Sequence, residues 1–279
     1  MELIEEQDIK VRYHHHEVGI SAQEEIETEL LAFPKICDDV MIMKDIIRKT
    51  ALQYGLTATF MPKPVFGHAG NGMHFHIMLH KNGKNLFYKK GGYADLSEEA
   101  IWFIGGILIH GRALVAFTNP STNSFKRLLP GFEAPVKLFY GLANRSAAIR
   151  IPKYANTPET KRFEFRTGDG TCNPYLAMSA ILLAGLDGIK KQIDPAKYNL
   201  GPFDDNVFAW SEDKKAQLLS IPTDLKEAMQ ALKEDHQFLL EGDVFNEELI
   251  ESHIELKLKE NEAVSARPHP HEMLLYYNL

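Results

Sequence analysis

A mixed α+β domain is the fold class that this sequence predicts, and three observations carry the prediction. Residues 73–80 and 162–166 alternate apolar and polar side chains, the period of a half-buried strand. Residues 40–54, 97–117 and 174–191 instead carry apolar stripes at helical spacing. The two patterns interleave along the chain with no internal repeat, so strands and helices share a domain.

Taken in order, residues 10–18 read as a strand and residues 24–30 alternate weakly as a second, with a Gly/Ser turn between them. That pattern is a hairpin. Asp38-Asp39 offers an N-cap ahead of Val40, Met43, Ile46, Ile47, Ala51 and Tyr54, a stripe ended by Gly55. A strand is expected again from Thr57. Pro62-Lys-Pro64-Val-Phe-Gly-His-Ala-Gly70-Asn-Gly72 has loop composition and leads into the alternating strand 73–80. Further strands are expected at 137–140, 148–151 and 162–166. Residues 194–224 are Pro-rich and irregular, and 225–262 read as mostly acidic amphipathic helix before a short tail, His269-Pro-His271-Glu-Met-Leu-Leu-Tyr-Tyr-Asn-Leu279.

Composition removes several function classes. With 279 residues and 44% hydrophobic content the chain is long enough for a substantial core. A net charge of -7, with no run of Lys or Arg, argues against a nucleic-acid partner, because nothing would neutralise a series of phosphates. No apolar run reaches spanning length, the nearest being 101–108 with Gly105-Gly106 inside it, so no membrane partner is expected. Cys37 and Cys172 are too few for a disulfide framework or a thiolate zinc site, which points to a reducing compartment, the cytoplasm. Both cysteines are expected to be inert, Trp102 to lie in the core, and His14 and His80 to lie at the surface.

Chemistry enters through the polar faces of the strands. His74, His76 and Met78 share one face of their strand; Arg162, Glu164 and Arg166 share one face of theirs, opposite Phe163 and Phe165. An ordinary wetted sheet face is one reading of such a pattern. A cation site is the other, since several Glu with a His supply the hard donors that suit Mg²⁺ or Mn²⁺. Arg127, Arg145, Arg150, Arg162 and Arg166 would then clamp phosphate or carboxylate, although Arg150 and Arg162 also fit structural ion pairs.

Four separated motifs resemble the catalytic domain of bacterial type I glutamine synthetase. They are His15-His16-Glu17-Val with Glu25 downstream; Met61-Pro-Lys-Pro-Val-Phe-Gly through Gly72-Met-His74; Asn119-Pro through Lys126-Arg127-Leu-Leu-Pro-Gly-Phe-Glu133-Ala-Pro; and Asn144-Arg145-Ser to Arg150-Ile-Pro, with Arg162-Phe-Glu164-Phe-Arg166 and Asn173-Pro-Tyr-Leu. The resemblance implies a glutamine synthetase/guanido kinase-like fold, an antiparallel curved sheet flanked by helices. It implies ATP-dependent ligation of ammonia to glutamate through γ-glutamyl phosphate, with roughly two or three Mg²⁺ or Mn²⁺ ions per complete site. Glu17 and Glu25 would bind one metal, and His74 and Glu164 another. Gly70, Arg127, Glu133 and Arg166 would contact glutamate, while His76, Arg145, Arg150 and Arg162 would contact ATP. Catalysis would fall to Arg145, Arg166 and Glu133, the last taking a proton from ammonium. His15, on the same face as Glu17, is expected beside the metal ligands. Homo-oligomers built as stacked hexameric rings are the family's assembly.

The same comparison exposes departures. Ala69 stands where the family usually has Asn, and Met78 where it usually has Ser, so another amine or acid substrate remains open. Thr167-Gly-Asp-Gly170 replaces a Pro-Asp-Pro type segment, from which a looser loop is expected. Phe208 occupies the place of a tyrosine that some type I enzymes adenylylate. Residues 1–279 are expected to form a catalytic domain shortened at its front, lacking a β-grasp domain of about a hundred residues and the Glu-x-Glu strand that follows it. Two functional readings stand: a glutamine synthetase or related glutamate-amine ligase, and a non-catalytic homologue that binds nucleotide or partners without turnover.

Overall fold

The computed structural model describes residues 1–20, 22–131 and 134–279, together with the backbone but not the side chain of Phe208. Glu133, the expected proton acceptor, lies outside the described residues. A one-turn helix α1 (Glu2–Glu5) precedes the hairpin of β1 (Val11–His16) and β2 (Glu24–Thr28), which pair antiparallel with His15 opposite Glu25. A register irregularity between Val11 and Tyr13 lets both Arg12 and Tyr13 reach Glu27.

Helix α2 (Lys35–Gln53) begins one turn earlier than the Asp38-Asp39 cap implies. Neither aspartate caps: Asp38 accepts from the Tyr175 hydroxyl, and the fully buried Asp39 is paired with Lys35. The strand expected from Thr57 does not form. Residues 57–61 lie beside no described strand that would complete a ladder, and Phe60 instead lies under Lys44 and Arg48, 5.8 and 5.0 Å from its ring centre.

Strand character in 73–80 contracts to β3 (Phe75–Ile77), followed by a small hairpin of β4 (His80–Lys81) and β5 (Lys84–Asn85). The apolar stripe 97–117 becomes two helices, α3 (Glu98–Ile109) and α4 (Gly111–Thr118), bent by 75° at His110. Packing explains the break, because Gly111 lies so close to Leu138 that a Cβ there would stand 2.6 Å from Leu138 Cδ2. Short helix α5 (Ser124–Arg127) then delivers Arg127.

Strands β6 (Tyr140–Leu142), β7 (Ile149–Ile151) and β8 (Phe163–Phe165) join β3 in a four-stranded sheet of order β3-β8-β7-β6. Strand β8 is antiparallel to both neighbours, while the outer pair β6 and β7 runs parallel. One face of β8 sends Phe163 and Phe165 into the main core beside Phe87 and Phe103. The other presents Glu164 between Arg162 and Arg166, the alternation expected of a strand that separates core from site.

Helix α6 (Pro174–Lys191) matches its sequence expectation end for end, since Asn173 accepts from the Tyr175 and Leu176 amides and Pro174 occupies the first turn. It packs on α3 so closely that a Cβ on Gly106 would meet Ala184 O at 2.0 Å, and one on Gly188 would meet Trp102 O at 2.1 Å. Helix α7 (Glu212–Ala216) interrupts the irregular stretch. The acidic helical region divides into α8 (Leu225–Glu234), a 3-10 segment Gln237–Asp243 and α9 (Glu247–Ser265), with α10 (Pro270–Tyr276) in the tail. Among the described residues no single helix is long and apolar enough to cross a membrane. Both cysteines are free and buried.

Candidate active site

Glu164 is the hub of the sheet's polar face. In register it stands opposite His76 on β3 and Arg150 on β7. Its side chain is 4% exposed, and its Oε1 lies 2.7 Å from Arg166 Nη1 and 3.0 Å from His74 Nδ1, with Oε2 2.9 Å from Arg150 Nη1. Burial works to raise the Glu164 pKa, but His74, Arg166 and Arg150 outweigh it and hold the carboxyl well below its usual range. His74 is lowered to about 4, chiefly by burial and further by Arg166 and Arg127. A neutral His74 donates Nδ1–H to Glu164.

Positive charge around this carboxylate exceeds what it can pair. Nε of Arg150 and Nε of Arg166 are buried without a hydrogen-bond partner among the described residues. Two guanidinium groups on one carboxylate leave a net positive charge, which suits an anion.

Arg127 backs this cluster from α5. It is 4% exposed, and burial lowers its pKa to about 10. Its Nη1 donates to Thr167 O at 2.8 Å and its Nη2 to Arg166 O at 3.2 Å, so the guanidinium grips the exit of β8. Two glycines make room for it. A Cβ on Gly72 would lie 2.5 Å from Arg127 Nη2 and 2.7 Å from His74 Nε2, and one on Gly70 would lie 2.3 Å from Pro62 O.

The loop after β8 corrects a sequence expectation. Thr167-Gly-Asp-Gly170 is not loosened by its lack of prolines, because hydrogen bonds fix it instead. Fully buried Asp169 accepts from Asn119 Nδ2 at 2.9 Å and from the Thr171 amide at 2.9 Å, and Asn119 also donates to Thr167 O at 2.7 Å. Asn119 and Asp169 thereby hold the carbonyls that Arg127 takes.

A second centre sits on the β1–β2 hairpin. One ligand atom each from His15, Glu17 and Glu25 falls within 4.8 Å of the others. His15 lies 3.9 Å from each carboxylate, Nδ1 facing Glu17 and Nε2 facing Glu25. His15, expected only beside the ligands, is thus placed as a third donor. Burial and then the neighbouring Glu17 push Glu25 up to about 7. Glu17 goes the other way: burial opposes its charge, but the Val18 amide, Glu25, His15 and Arg145 prevail. Two acids driven apart in pKa, with no Lys or Arg at ion-pair distance among the described residues, form a site that a hard cation would neutralise.

The remaining candidates divide. Arg145 is exposed in the turn after β6, whose Asn144 bonds the carbonyls of Phe203 and Asp205. A cavity of about 400 Å³ there is lined by Gly131, Arg145, Ser146, Asp204 and Asn206 among others. Arg162 donates through Nε to His76 Nδ1 at 3.4 Å and stands 5.2 Å from the Tyr154 ring centre. Burial is the main cause of the lowered His76 pKa. The sequence reading missed Gly72 as the space holder for Arg127 and His74, and Asp169 as the anchor of the β8 exit. The Asp within Thr167-Gly-Asp-Gly is the sequence signal for the latter, since a buried carboxylate after a strand needs donors and gathers them from the backbone and Asn119.

Comparison with known proteins agrees with this geometry. The model of the glutamine synthetase catalytic domain matches residues 1–276. The chain is 48% identical over 275 residues to the glutamine synthetase of Frankia alni, covering 98% of this chain and 57% of that protein. It is 49% identical over 267 residues to that of Mycolicibacterium smegmatis, covering 95% and 55%. Among solved structures, the Plasmodium falciparum glutamine synthetase superposes with a TM-score of 0.86 at 35% identity, covering 99% of this chain and 61% of that one. Apo GmaS does so with 0.84 at 30% identity, covering 100% and 61%. The chain therefore spans a little over half the length of these curated relatives. With its motifs, its fold and a match over residues 1–276 in agreement, the chain belongs to the glutamine synthetase catalytic-domain family.

Proposed function

We propose that this chain carries the catalytic residues for ATP-dependent ligation of ammonia to glutamate through γ-glutamyl phosphate. The observation that supports this most is the arginine pair on Glu164, two cationic groups around one carboxylate, a charge balance that suits the anions of a phosphoryl transfer. The physical task is to bring a carboxylate up to a polyphosphate. Arg166 neutralises the γ-carboxylate and its phosphorylated form, Arg127 holds the α-carboxylate, and Gly70 offers its carbonyl to the amino group. Arg145, Arg150 and Arg162 face the phosphates of ATP, and His76 faces the nucleotide. Glu133 accepts a proton from ammonium and frees the nucleophile.

The donor sets fit divalent cations. Glu17 and Glu25, with His15, would hold one Mg²⁺ or Mn²⁺, and His74 with Glu164 would hold another through Nδ1 and the carboxylate, in place of the hydrogen bond that now joins them. Bound there, the cations supply charge neutralisation of the phosphate and carboxylate oxygens. Glu164 is already shared by two arginines, so the hairpin set, which has none, is the more cation-dependent. Cytoplasmic location and ring-like homo-oligomers belong to the same proposal, supported by the two free cysteines and the family's bacterial members.

The test is γ-glutamyl hydroxamate formation from glutamate, hydroxylamine and ATP with Mn²⁺. It is run on residues 1–279 alone and with the remaining part of a relative's chain supplied alongside. We expect product in the second arm and its loss in Arg166→Ala. No product in either arm overturns the reading. A ligase for another amine is the second reading, favoured by Ala69, which offers no side-chain hydrogen bond. A panel of amines in the same assay, with ammonia outperformed by one of them, would establish it.

A further inference from the structure

Gln23 belongs to neither cluster, yet its carboxamide touches both halves of the site. It sits between Glu17 and Glu25 in the chain, where the hairpin turns. Its Oε1 accepts from the Gly19 amide at 2.7 Å, which closes the turn. Its Nε2 donates to Gly70 O at 3.1 Å and to Asn71 Oδ1 at 2.7 Å, across a sequence gap of 47 and 48 residues. Asn71 passes the connection on, through its amide to Pro62 O at 2.7 Å and its Nδ2 to Met61 O at 2.7 Å. Gly19 is packed against the same carboxamide, since a Cβ there would lie 2.1 Å from Gln23 Oε1.

Resting on the proposed function, we infer that Gln23 is a positioning residue that couples the cation hairpin to the Gly70–Gly72 loop. Both N–H donors and one oxygen lone pair of the carboxamide are committed, so it has one orientation. Whatever draws Glu17 and Glu25 together also fixes Gln23, whose backbone carbonyl accepts from the Glu17 amide at 2.8 Å. Gln23 in turn sets the stance of the Gly70 carbonyl and of the loop whose missing side chains seat Arg127 and His74. Cation occupancy on the hairpin and order in the glycine loop are two readings of one connection, and by linkage each strengthens the other.

The experiment uses the whole chain and needs no turnover. Mn²⁺ affinity is measured by titration with detection of free Mn²⁺ by electron paramagnetic resonance. Hydrogen exchange of residues 67–73 is measured with and without Mg²⁺. Gln23→Ala is expected to lose about tenfold in Mn²⁺ affinity, the low end for residues that orient metal ligands. Mg²⁺ should slow exchange in the loop of the native chain and no longer do so in the variant. Asn71→Ala leaves the hairpin turn intact and removes the connection from the far side, so it should reproduce both effects, and the double variant should add little. Native Mn²⁺ affinity in both variants, or undiminished Mg²⁺ protection of 67–73, overturns the coupling. A native chain that binds no Mn²⁺ overturns the cation reading itself, which separates the two failures.

Discussion

The sheet cluster and the hairpin cluster hold the same kinds of residue and solve opposite problems. Around Glu164, three partners with positive or proton-donating groups surround one buried carboxylate. Around His15, two carboxylates meet one imidazole in a setting 30% to 47% exposed, with no arginine or lysine at ion-pair distance among the described residues. The first has an excess of cationic donors and suits an anion; the second has an excess of carboxylate and suits a cation. A phosphoryl-transfer site needs both, because charge neutralisation of the incoming and the transferred group is most of the catalysis.

The largest expected effect breaks the first cluster. Glu164→Ala removes the shared partner of two buried arginines and should destabilise the chain by about 3–5 kcal/mol, as when one member of a buried ion pair is deleted. Urea denaturation at neutral pH checks it. Glu25→Gln should instead change stability by less than about 1 kcal/mol, because it removes a half-exposed carboxylate that is crowded by Glu17 rather than paired. Similar losses in the two variants would erase the distinction drawn between the clusters.

Next comes the response to metal. Mn²⁺ at about 100 times its dissociation constant should stabilise the native chain by about 2.7 kcal/mol, read as a shift in urea midpoint. Glu25→Gln should lose most of that shift. Arg150→Lys should keep it, because Arg150 contacts Glu164 and not the hairpin carboxylates. If Arg150→Lys proves the more damaging, the hairpin is not the principal cation site.

A third prediction concerns the space between the cluster and its backing arginine. Gly72→Ala forces a methyl against Arg127 and His74 at distances far inside van der Waals contact, and overpacking of this kind costs about 1–3 kcal/mol. Thermal denaturation should show the loss. Loop-directed hydrogen exchange should show it concentrated at 70–74 and at the β8 exit rather than in α6.

How much of this was legible follows the range of the determining forces. The hairpin and α6 were readable because alternation, a turn and an Asn173-Pro174 cap are local signals. The side-chain faces of residues 73–80 and of β8 were readable for the same reason, while the resemblance to glutamine synthetase was what joined His74 to Glu164. The strand expected at Thr57 failed because a strand requires a neighbour that sequence pattern does not supply. The stripe 97–117 is helical throughout in pattern, but the bend at His110 is set by Leu138 and by the carboxylates of Asp187 and Asp235, from α6 and the residue after α8. The roles of Gln23 and Asp169 were not legible, because their partners lie far along the chain: Gln23 reaches Gly70 and Asn71 across 47 and 48 residues, and Asp169 accepts from Asn119 across 50.

His110 supplies the smallest prediction and a control for the comparison, since its cluster is balanced and far from needing a ligand. Nδ1 lies 2.8 Å from Asp235 and Nε2 3.0 Å from Asp187, and the ring stacks on Phe238 with centroids 4.0 Å apart. Burial opposes the charged ring, but Asp235 and then Asp187 more than offset it, so the folded pKa is raised. A raised histidine pKa means that its contribution to stability is fully present below the unfolded value of about 6.5 and is lost as pH rises through the folded value. Asp187 is lowered, with burial opposed by His110 and Lys191, so its own contribution is present above its unfolded pKa and fades as pH falls through the folded one. Between these limits His110 and Lys191 offset Asp187 and Asp235. Denaturation midpoints from pH 5 to 9 should decline on the alkaline side in the native chain and decline less in His110→Asn, whose amide cannot titrate. Added Mn²⁺ should raise both curves alike, because the hairpin carboxylates that would take the cation are untouched by the substitution.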